Sequence, residues 1–308
     1  MSRLPVCDVV IVNWNTGTLL QECINSLAKL RNTRVKIGAV VVIDNASTDG
    51  SFEISPSDRI QPIICRNDEN IGFGRACNLG AKRCSGDFIL FLNPDTRLMR
   101  NTLDSTFDWL ASHSKYMRAI LGVQLINTAG EITTTCSRFP SAANVAVKSV
   151  GLEHVVARWG LSQPMFEFDH LYSRLVDQVM GAFFLVPRAL FLELDGFQEK
   201  YFLYYEEVDF CRRARESGYQ TVFCAAANAV HVGGGSSASI PARRLFLNLQ
   251  SRLIYYREHF SQVGALVAIT STLVIEPVMR LIAAVASLQF SKMANTIRAY
   301  WWLCRRAK

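Results

Sequence analysis

The amino-acid sequence predicts an α/β fold, with a mostly parallel central sheet, helices on both faces, and amphipathic and apolar helices at the C-terminal end. Three observations carry this. Short apolar runs rich in Val and Ile end abruptly at Asn13, Asp44 and Asn93. Stretches with helical period separate them, and the composition shifts near Pro241 toward basic and then almost uncharged sequence. Strands buried on both faces read as continuous apolar runs, and their alternation with helices implies parallel crossovers. With 308 residues, 50% of them hydrophobic, the chain can bury a sizeable core.

The first buried strand is Val6–Asn13, and residues 17–30 form a helix with Leu19, Leu20, Cys23, Ile24 and Leu27 on one face. Strands are expected at 37–44 and 60–65, a helix at 73–83, and a fourth strand at 87–92 running into Asn93-Pro94-Asp95. In such sheets a ligand lies beyond the carboxyl ends of the strands, so Asn13, Asp44 and Asp95 are expected around one crevice. A strand near 119–126 follows, and 140–168 reads as a variable loop or helical region. Residues 181–188 make another strand, with Pro187 opening a helix that ends near Gly196. A helix over 207–216 is stopped by Gly218 and leads to a strand at 221–230 and a turn-rich segment at 231–237. Residues 1–240 are thus expected as one domain and 241–308 as a helical membrane-associating region.

In that last region, 243–260 reads as a basic amphipathic helix, and 261–291 is interrupted only by Glu276, Pro277 and Arg280. The uncharged run before Glu276 is shorter than the roughly 20 residues that span a bilayer. With Pro277 as a break, the segment predicts two helices lying in the membrane interface, anchored by Trp301 and Trp302. Arg243, Arg244, Arg252, Arg257, Arg305, Arg306 and Lys308 would face anionic lipid, and Glu276 and Arg280 would pair on the polar side of a helix. A true span and a buried helical subdomain are the alternatives.

The net charge of +7 suits a nucleic acid, an anionic membrane or a phosphorylated ligand. No basic arm with interleaved aromatics is present, so nucleic acid is the least favoured partner. Nine cysteines without CxxC pairs or metal-ligand spacing read as reduced core thiols of a cytoplasmic protein.

Five motifs bear on chemistry. Asp44, closing a strand before Asn45-Ala46-Ser47-Thr48-Asp49-Gly50, reads either as an Asx-turn residue or as an acceptor for the imide N–H of uracil or thymine. Gly72-Phe73-Gly74 lacks the third glycine of a dinucleotide fingerprint, because Cys77 takes its place, which argues against a Rossmann dehydrogenase. Those glycines still permit close backbone approach at a helix N-terminus, where Arg75 can meet a phosphate. Asn93-Pro94-Asp95 is either a β-turn or a one-carboxylate Mg²⁺ site completed by phosphate and water. Glu206-Glu207, followed by Asp209, either complements a helix dipole or supplies a carboxylate raised by burial toward base duty. His231, before a Gly-rich turn, is structural unless a metal lies nearby.

In this order the motifs resemble a family 2 glycosyltransferase of the GT-A fold, in its bacterial rhamnosyltransferase-like branch. The resemblance runs over about 6–237. It implies that Asn13, Asn15 and Asp44 line the nucleoside pocket, and that Asn70, Gly72 and Arg75 approach the ribose and diphosphate. Asp95, with Asn93 beside it, would carry the metal role of an Asp-x-Asp motif. Gly181-Ala182-Phe183 would be the loop beside the donor sugar, Glu207 the catalytic base next to Glu206, and His231 the residue completing a Mg²⁺ or Mn²⁺ shell. Two departures stand out: Asn93 replaces the first carboxylate of Asp-x-Asp, and Glu206-Glu207 replaces Glu-Asp.

The implied reaction is an inverting transfer from a dTDP- or UDP-sugar, with dTDP-rhamnose the expected donor. The expected acceptor is a polyprenyl-diphosphate-linked glycan, met by a peripheral protein on the cytoplasmic face of the plasma membrane. A sugar-nucleotide pyrophosphorylase would share the layout but needs a basic glycine-rich loop where Asn13-Trp14-Asn15-Thr16 stands. A non-catalytic membrane scaffold would not need Asp95, Glu207 and His231 together.

Overall fold

The computed structural model describes residues 3–55, 57–233 and 240–306. The turn expected at 231–237 therefore lies largely outside the described residues, as does Lys308. Strand β1 (Val6–Asn13) is followed by helix α1 (Leu19–Ala28), β2 (Lys36–Asp44), β3 (Ile63–Arg66), α2 (Phe73–Ala81) and β4 (Phe88–Leu92). Then come β5 (Thr96–Leu98), α3 (Thr102–Ser112), β6 (Ile120–Ile126), β7 (Cys136–Ser137), α4 (Ala142–Ser149), β8 (Arg174–Val176), β9 (Gln178–Val179) and β10 (Phe183–Pro187). The chain continues through α5 (Arg188–Glu193), α6 (Glu206–Glu216), β11 (Thr221–His231), α7 (Pro241–His259), α8 (Gln262–Thr270), α9 (Glu276–Ala286) and α10 (Phe290–Arg306).

The large sheet has the order β3-β2-β1-β4-β10-β6-β11-β5, with β8 also paired to β11. It is mostly parallel: β10, β5 and β8 run against the other strands. The apolar runs of β1, β2, β4 and β10 are buried on both faces, which is why they carry Val, Ile, Leu and Phe without alternation. One core layer joins β1 and β4 to α1 and α3, and the other packs α2, α5 and α6 through Phe91, Phe184, Phe191, Phe197 and Phe210. Asp8, buried inside β1, accepts from the amides of Ala39, Ser85 and Gly86 and so locks three chain segments together.

Most expected elements are present. The third strand starts later than expected, at Ile63, because residues 57–60 fold into a local turn in which the Ser57 amide donates to the Ile60 carbonyl. The helix after Pro187 ends at Glu193 rather than near Gly196, where a positive φ and the Gly196 amide bonded to Phe191 O close it. The region read as variable holds α4, whose N-cap Ser141 and Asn144 form a reciprocal capping pair, and it is flanked by the two strands of the small β7–β9 ladder. The short β5 carried no sequence signal; it exists because β11 pairs with it. The cysteines are free thiols, and all but Cys65 and Cys304 are buried.

The C-terminal region departs further from expectation. Pro277 does not break the chain into two helices: α8, a π-helical turn at Ser271–Ile275 and α9 form one continuous helix over Gln262–Ala286. The π turn absorbs the proline, whose missing N–H and bulky ring an α-helix interior would not accommodate. By length and composition this is the one described helix apolar enough to cross a membrane. It packs lengthwise on α4, α7 and α10, however, and α7 in turn packs against Tyr201, Tyr205 and Val208 at the start of α6.

Glu276 and Arg280 do bond, but Glu276 is buried and also meets Arg252 of α7 at 2.8 Å. Arg252 therefore serves an internal ion pair and does not face lipid. A second tie joins α7 to α6, where His259 lies 2.9 Å from Asp209 and Arg213 2.7 Å from the same carboxylate. Outward, the long helix leaves a row of exposed apolar side chains including Val263, Leu266, Val274, Val278, Ile282 and Val285.

Burial alone would raise the Glu276 carboxyl, but Arg252 and Arg280 outweigh it and hold it below the usual range. A depressed carboxylate contributes stability above its unfolded pKa and loses it as pH falls through the folded value. Arg252→Ala, which leaves the buried Glu276 only the partly exposed Arg280, should cost about 3 kcal/mol, the low end for breaking a buried pair. Replacing both partners by Met and Leu should cost far less. Chemical denaturation of the two variants in detergent checks this, and equal losses would show that the charge pair is not what anchors the helix.

Candidate active site

The carboxyl ends of β1, β2, β4 and β11 and the start of the reversed β10 all reach one edge of the sheet. A cleft of about 440 Å³ opens there. Asn93, Pro94 and Asp95 follow β4, and Gly181 and Ala182 precede β10, which pairs Phe183 with Leu92. The Asn93 amide donates to the Ala182 carbonyl at 3.1 Å, holding these two loops side by side. Strand β11 pairs with β5 so that His231 faces Thr96, and the His231 ring lies 3.3 Å from the Asp95 carboxylate. Their distant positions in sequence are joined by one antiparallel ladder.

Across the cleft stands the first turn of α6. Glu206 and Glu207 both line it, and each has a buried carboxylate oxygen without a hydrogen-bond partner among the described residues. Burial, reinforced by Glu207, pushes Glu206 well above the usual carboxylate range. Burial also raises Glu207, against the pull of main-chain N–H groups at the helix start. Tyr204 and Tyr205 precede them with φ of 68° and 75°, a left-handed pair of bulky residues of the kind that persists only when surroundings enforce it.

The glycines of α2 make this possible. A Cβ on Gly72 would meet Phe202 O at 2.6 Å, and one on Gly74 would meet Glu206 Cβ at 3.4 Å. The Gly72-Phe-Gly74 pair therefore lets the base-bearing segment pack on α2. Gly181 faces Glu207 from the other side, where a Cβ would lie 3.9 Å from Glu207 Cγ, in ordinary contact.

The structure brings together Asn70, Gly72, Asn93, Asp95, Gly181, Ala182, Glu206, Glu207 and His231 along the cleft. Other sites named from the sequence stand behind or beside it. Asn13 and Asp44 are wholly buried: Asn13 Nδ2 donates to Asp44 Oδ1 at 2.8 Å, and Asp44 Oδ2 accepts from the Ser47 amide and faces Arg66 at 3.4 Å. Asn15, with φ of 50°, accepts from the Thr48 amide and organises the turn after β2. Phe183 is buried in the core. Arg75 is exposed and pairs with Glu199, away from the cleft.

Sequence reasoning missed Trp14, Thr16, Asn45, Phe202 and Tyr204 as lining residues, and it read Arg243 and Arg244 only as lipid-facing. Only their adjacency to the motifs hinted at them.

A carboxylate and an imidazole at this spacing suit Mn²⁺ or Mg²⁺ whose remaining positions are filled by diphosphate and water, with imidazole the better partner for Mn²⁺. A second group of metal-ligating side chains, Asp209, Glu258 and His259, lies at the α6–α7 contact. Asp209 and Glu258 are already engaged there by Arg213, Lys200 and Tyr201.

A mostly parallel α/β sheet with paired acids facing an Asp–His couple across a cleft is an arrangement suited to a glycosyltransferase. Residues 8–128 match Glycosyl transferase family 2, so the chain carries a glycosyltransferase domain of that description, on a GT-A fold. It is 26% identical over 273 residues to the N-acetylglucosaminyl-diphospho-decaprenol L-rhamnosyltransferase of Mycobacterium tuberculosis, covering 83% of this chain and 85% of that one. Identity to the rhamnosyltransferase WbbL of Escherichia coli K12 is 24% over 192 residues, 60% of this chain and 69% of the other.

Among solved structures, a mannosyltransferase from Pyrobaculum calidifontis in complex with GDP-Man and Mn²⁺ superposes with a TM-score of 0.56 at 15% identity, covering 97% and 86% of the two chains. TarS of S. aureus in complex with UDP-GlcNAc gives 0.52 at 16%, covering 95% and 79%.

A carboxylate whose folded pKa is raised opposes folding once ionised, so its cost appears as pH rises above the unfolded pKa. Glu206→Gln should therefore stabilise the protein by about 1 kcal/mol near neutral pH, as relief of a strained site commonly does. Thermal unfolding followed across pH tests this, and a loss of stability at neutral pH would contradict the buried-acid picture.

Proposed function

We propose that this glycosyltransferase moves rhamnose from dTDP-rhamnose to a hydroxyl of a polyprenyl-diphosphate-linked glycan, with inversion, at the cytoplasmic face of the plasma membrane. The observation that carries the catalytic part is the opening of Glu206 and Glu207 into the same cleft as Asp95 and His231. The names of the two rhamnosyltransferase relatives support the donor, and the decaprenol relative supports the acceptor. The apolar row on the long helix supports a peripheral seat on the membrane, because that helix is packed on protein along its other side. In this reading residues 1–240 are the catalytic domain and 241–308 the membrane-associating region.

Glu207 takes the proton of the acceptor hydroxyl. The new bond to the anomeric carbon forms as its bond to the diphosphate oxygen breaks, releasing the nucleoside diphosphate. The raised pKa of Glu207 makes it a stronger base than an exposed carboxylate. Glu206 keeps the acid turn desolvated and orients its neighbour. A Mg²⁺ or Mn²⁺ held by Asp95 and His231 would supply charge neutralisation to the diphosphate. Arg243 and Arg244, lining the same cleft, add positive charge for it. Asn13 and Asp44 act from behind, holding the turn on which the nucleoside base rests.

Glu207→Gln should lower turnover by roughly 10²–10⁴ with donor affinity little changed. Asp95→Ala should remove metal-stimulated donor binding while the fold persists. Both are read by nucleoside-diphosphate release from a panel of nucleotide sugars, with and without Mn²⁺. Near-normal turnover of Asp95→Ala after chelation would remove the metal from the proposal. Alkaline carbonate should release the intact protein from membranes at least in part. Complete resistance would favour a spanning helix.

A further inference from the structure

Beside the cleft, a second groove of about 560 Å³ runs between α7, α9 and α10. Three cations line it, Arg244 from α7, Arg280 from α9 and Lys292 from α10, together with the neutral Asn248, Ser287 and Asn295. Among the described residues no acidic side chain lines it. Glu276, the nearest acid in the packing beneath, is already shared by Arg252 and Arg280. Two guanidinium groups on one carboxylate leave a surplus of positive charge, to which Arg244 and Lys292 add without an ion pair of their own among the described residues. Lys148, buried close by, is held low by that burial and by Arg252.

Two further facts orient the groove. Tyr204 and Arg244 line both it and the catalytic cleft, so the two are contiguous, with Glu206 two residues along the chain from Tyr204. Ala283 and Ser287, which line the groove, lie on the same helical stretch whose outer side exposes Val278, Ile282, Val285 and Leu288. A cationic slot is thus bounded by an apolar surface on one side and the transfer site on the other.

We infer that this groove binds the diphosphate of the lipid-linked acceptor, with the lipid tail leaving along the exposed apolar side of α9 and the sugar entering the cleft past Tyr204. An anion with a long apolar tail fits both halves of the surface at once. Guanidinium and ammonium groups recognise phosphate oxygens, and the amides and hydroxyl complete the shell. This inference rests on the acceptor class proposed above and assigns its recognition chiefly to Arg280, Lys292 and Asn248, which lie outside the catalytic cleft, with Arg244 shared between the two.

The test uses the full-length chain and phosphatidylcholine vesicles doped either with polyprenyl diphosphate or with phosphatidylglycerol at equal charge. Co-sedimentation should favour the diphosphate vesicles by about tenfold, with inorganic diphosphate competing. Lys292→Glu and Asn248→Asp, both outside the cleft, should abolish that preference. Nucleotide-sugar hydrolysis by the same variants, which reads the catalytic proposal separately, should be unchanged. Equal binding to both vesicle types would make the groove a general anionic-lipid contact and overturn the inference. So would a preference that survives both substitutions, or binding of inorganic diphosphate without binding of the lipid. Loss of hydrolysis in the wild-type chain with vesicle preference intact would instead count against the catalytic reading and leave the groove assigned.

Discussion

Holding two adjacent carboxylates in a desolvated helix start is the constraint around which this structure is arranged. Each buried acid disfavours its own charge, and the pair disfavours it further, so the site persists only because its surroundings are over-determined. Gly72 removes a side chain that would push Phe202 and the acid turn away, while Tyr204 and Tyr205 take a left-handed backbone to deliver it. Below the turn, Asp209 is clasped by Arg213 and His259, and Phe210 sits in the aromatic layer with Phe184, Phe191 and Phe197. The same helix therefore carries a destabilised end at the cleft and a strongly held body.

The C-terminal helices belong to that arrangement. Tyr255, Tyr256 and Leu253 of α7 pack against Tyr201, Tyr205 and Val208, so the long apolar helix behind α7 is linked through it to the acid turn. Arg252 reaches the other way, to Glu276 at the end of the π turn. The exposed apolar face of Gln262–Ala286 is thereby only one helix removed from Tyr204 and the cleft.

Much of this was legible in the residues. The strands β1, β2, β4, β10 and β11 announce themselves as apolar runs because burial on both faces admits nothing else. Asn93-Pro94-Asp95 stands where such a run ends, so its place at the sheet edge followed from strand polarity, whereas Gly181 and Glu206-Glu207 reach that edge through the reversed β10 and the loop before α6. Arg75 was misplaced because its pairing with Glu199 joins segments far apart in sequence. The lipid-facing role read for Arg252 failed for a similar reason: a cation in a basic amphipathic pattern looks solvent-directed until a buried acid from another helix is found to meet it.

The sequence by itself determined the class of fold and the chemistry-bearing residue types, since these depend on local period, on turn residues and on short motifs. Only the tertiary structure decided that Asp44 and Asn13 brace the site from behind, that His231 meets Asp95, and that Pro277 sits in an unbroken helix. The physical reason is common to all three. Each depends on a partner supplied by a distant segment, through a strand ladder, a buried hydrogen-bond network or a helix packed on its neighbours, and local pattern carries no record of which segment that will be.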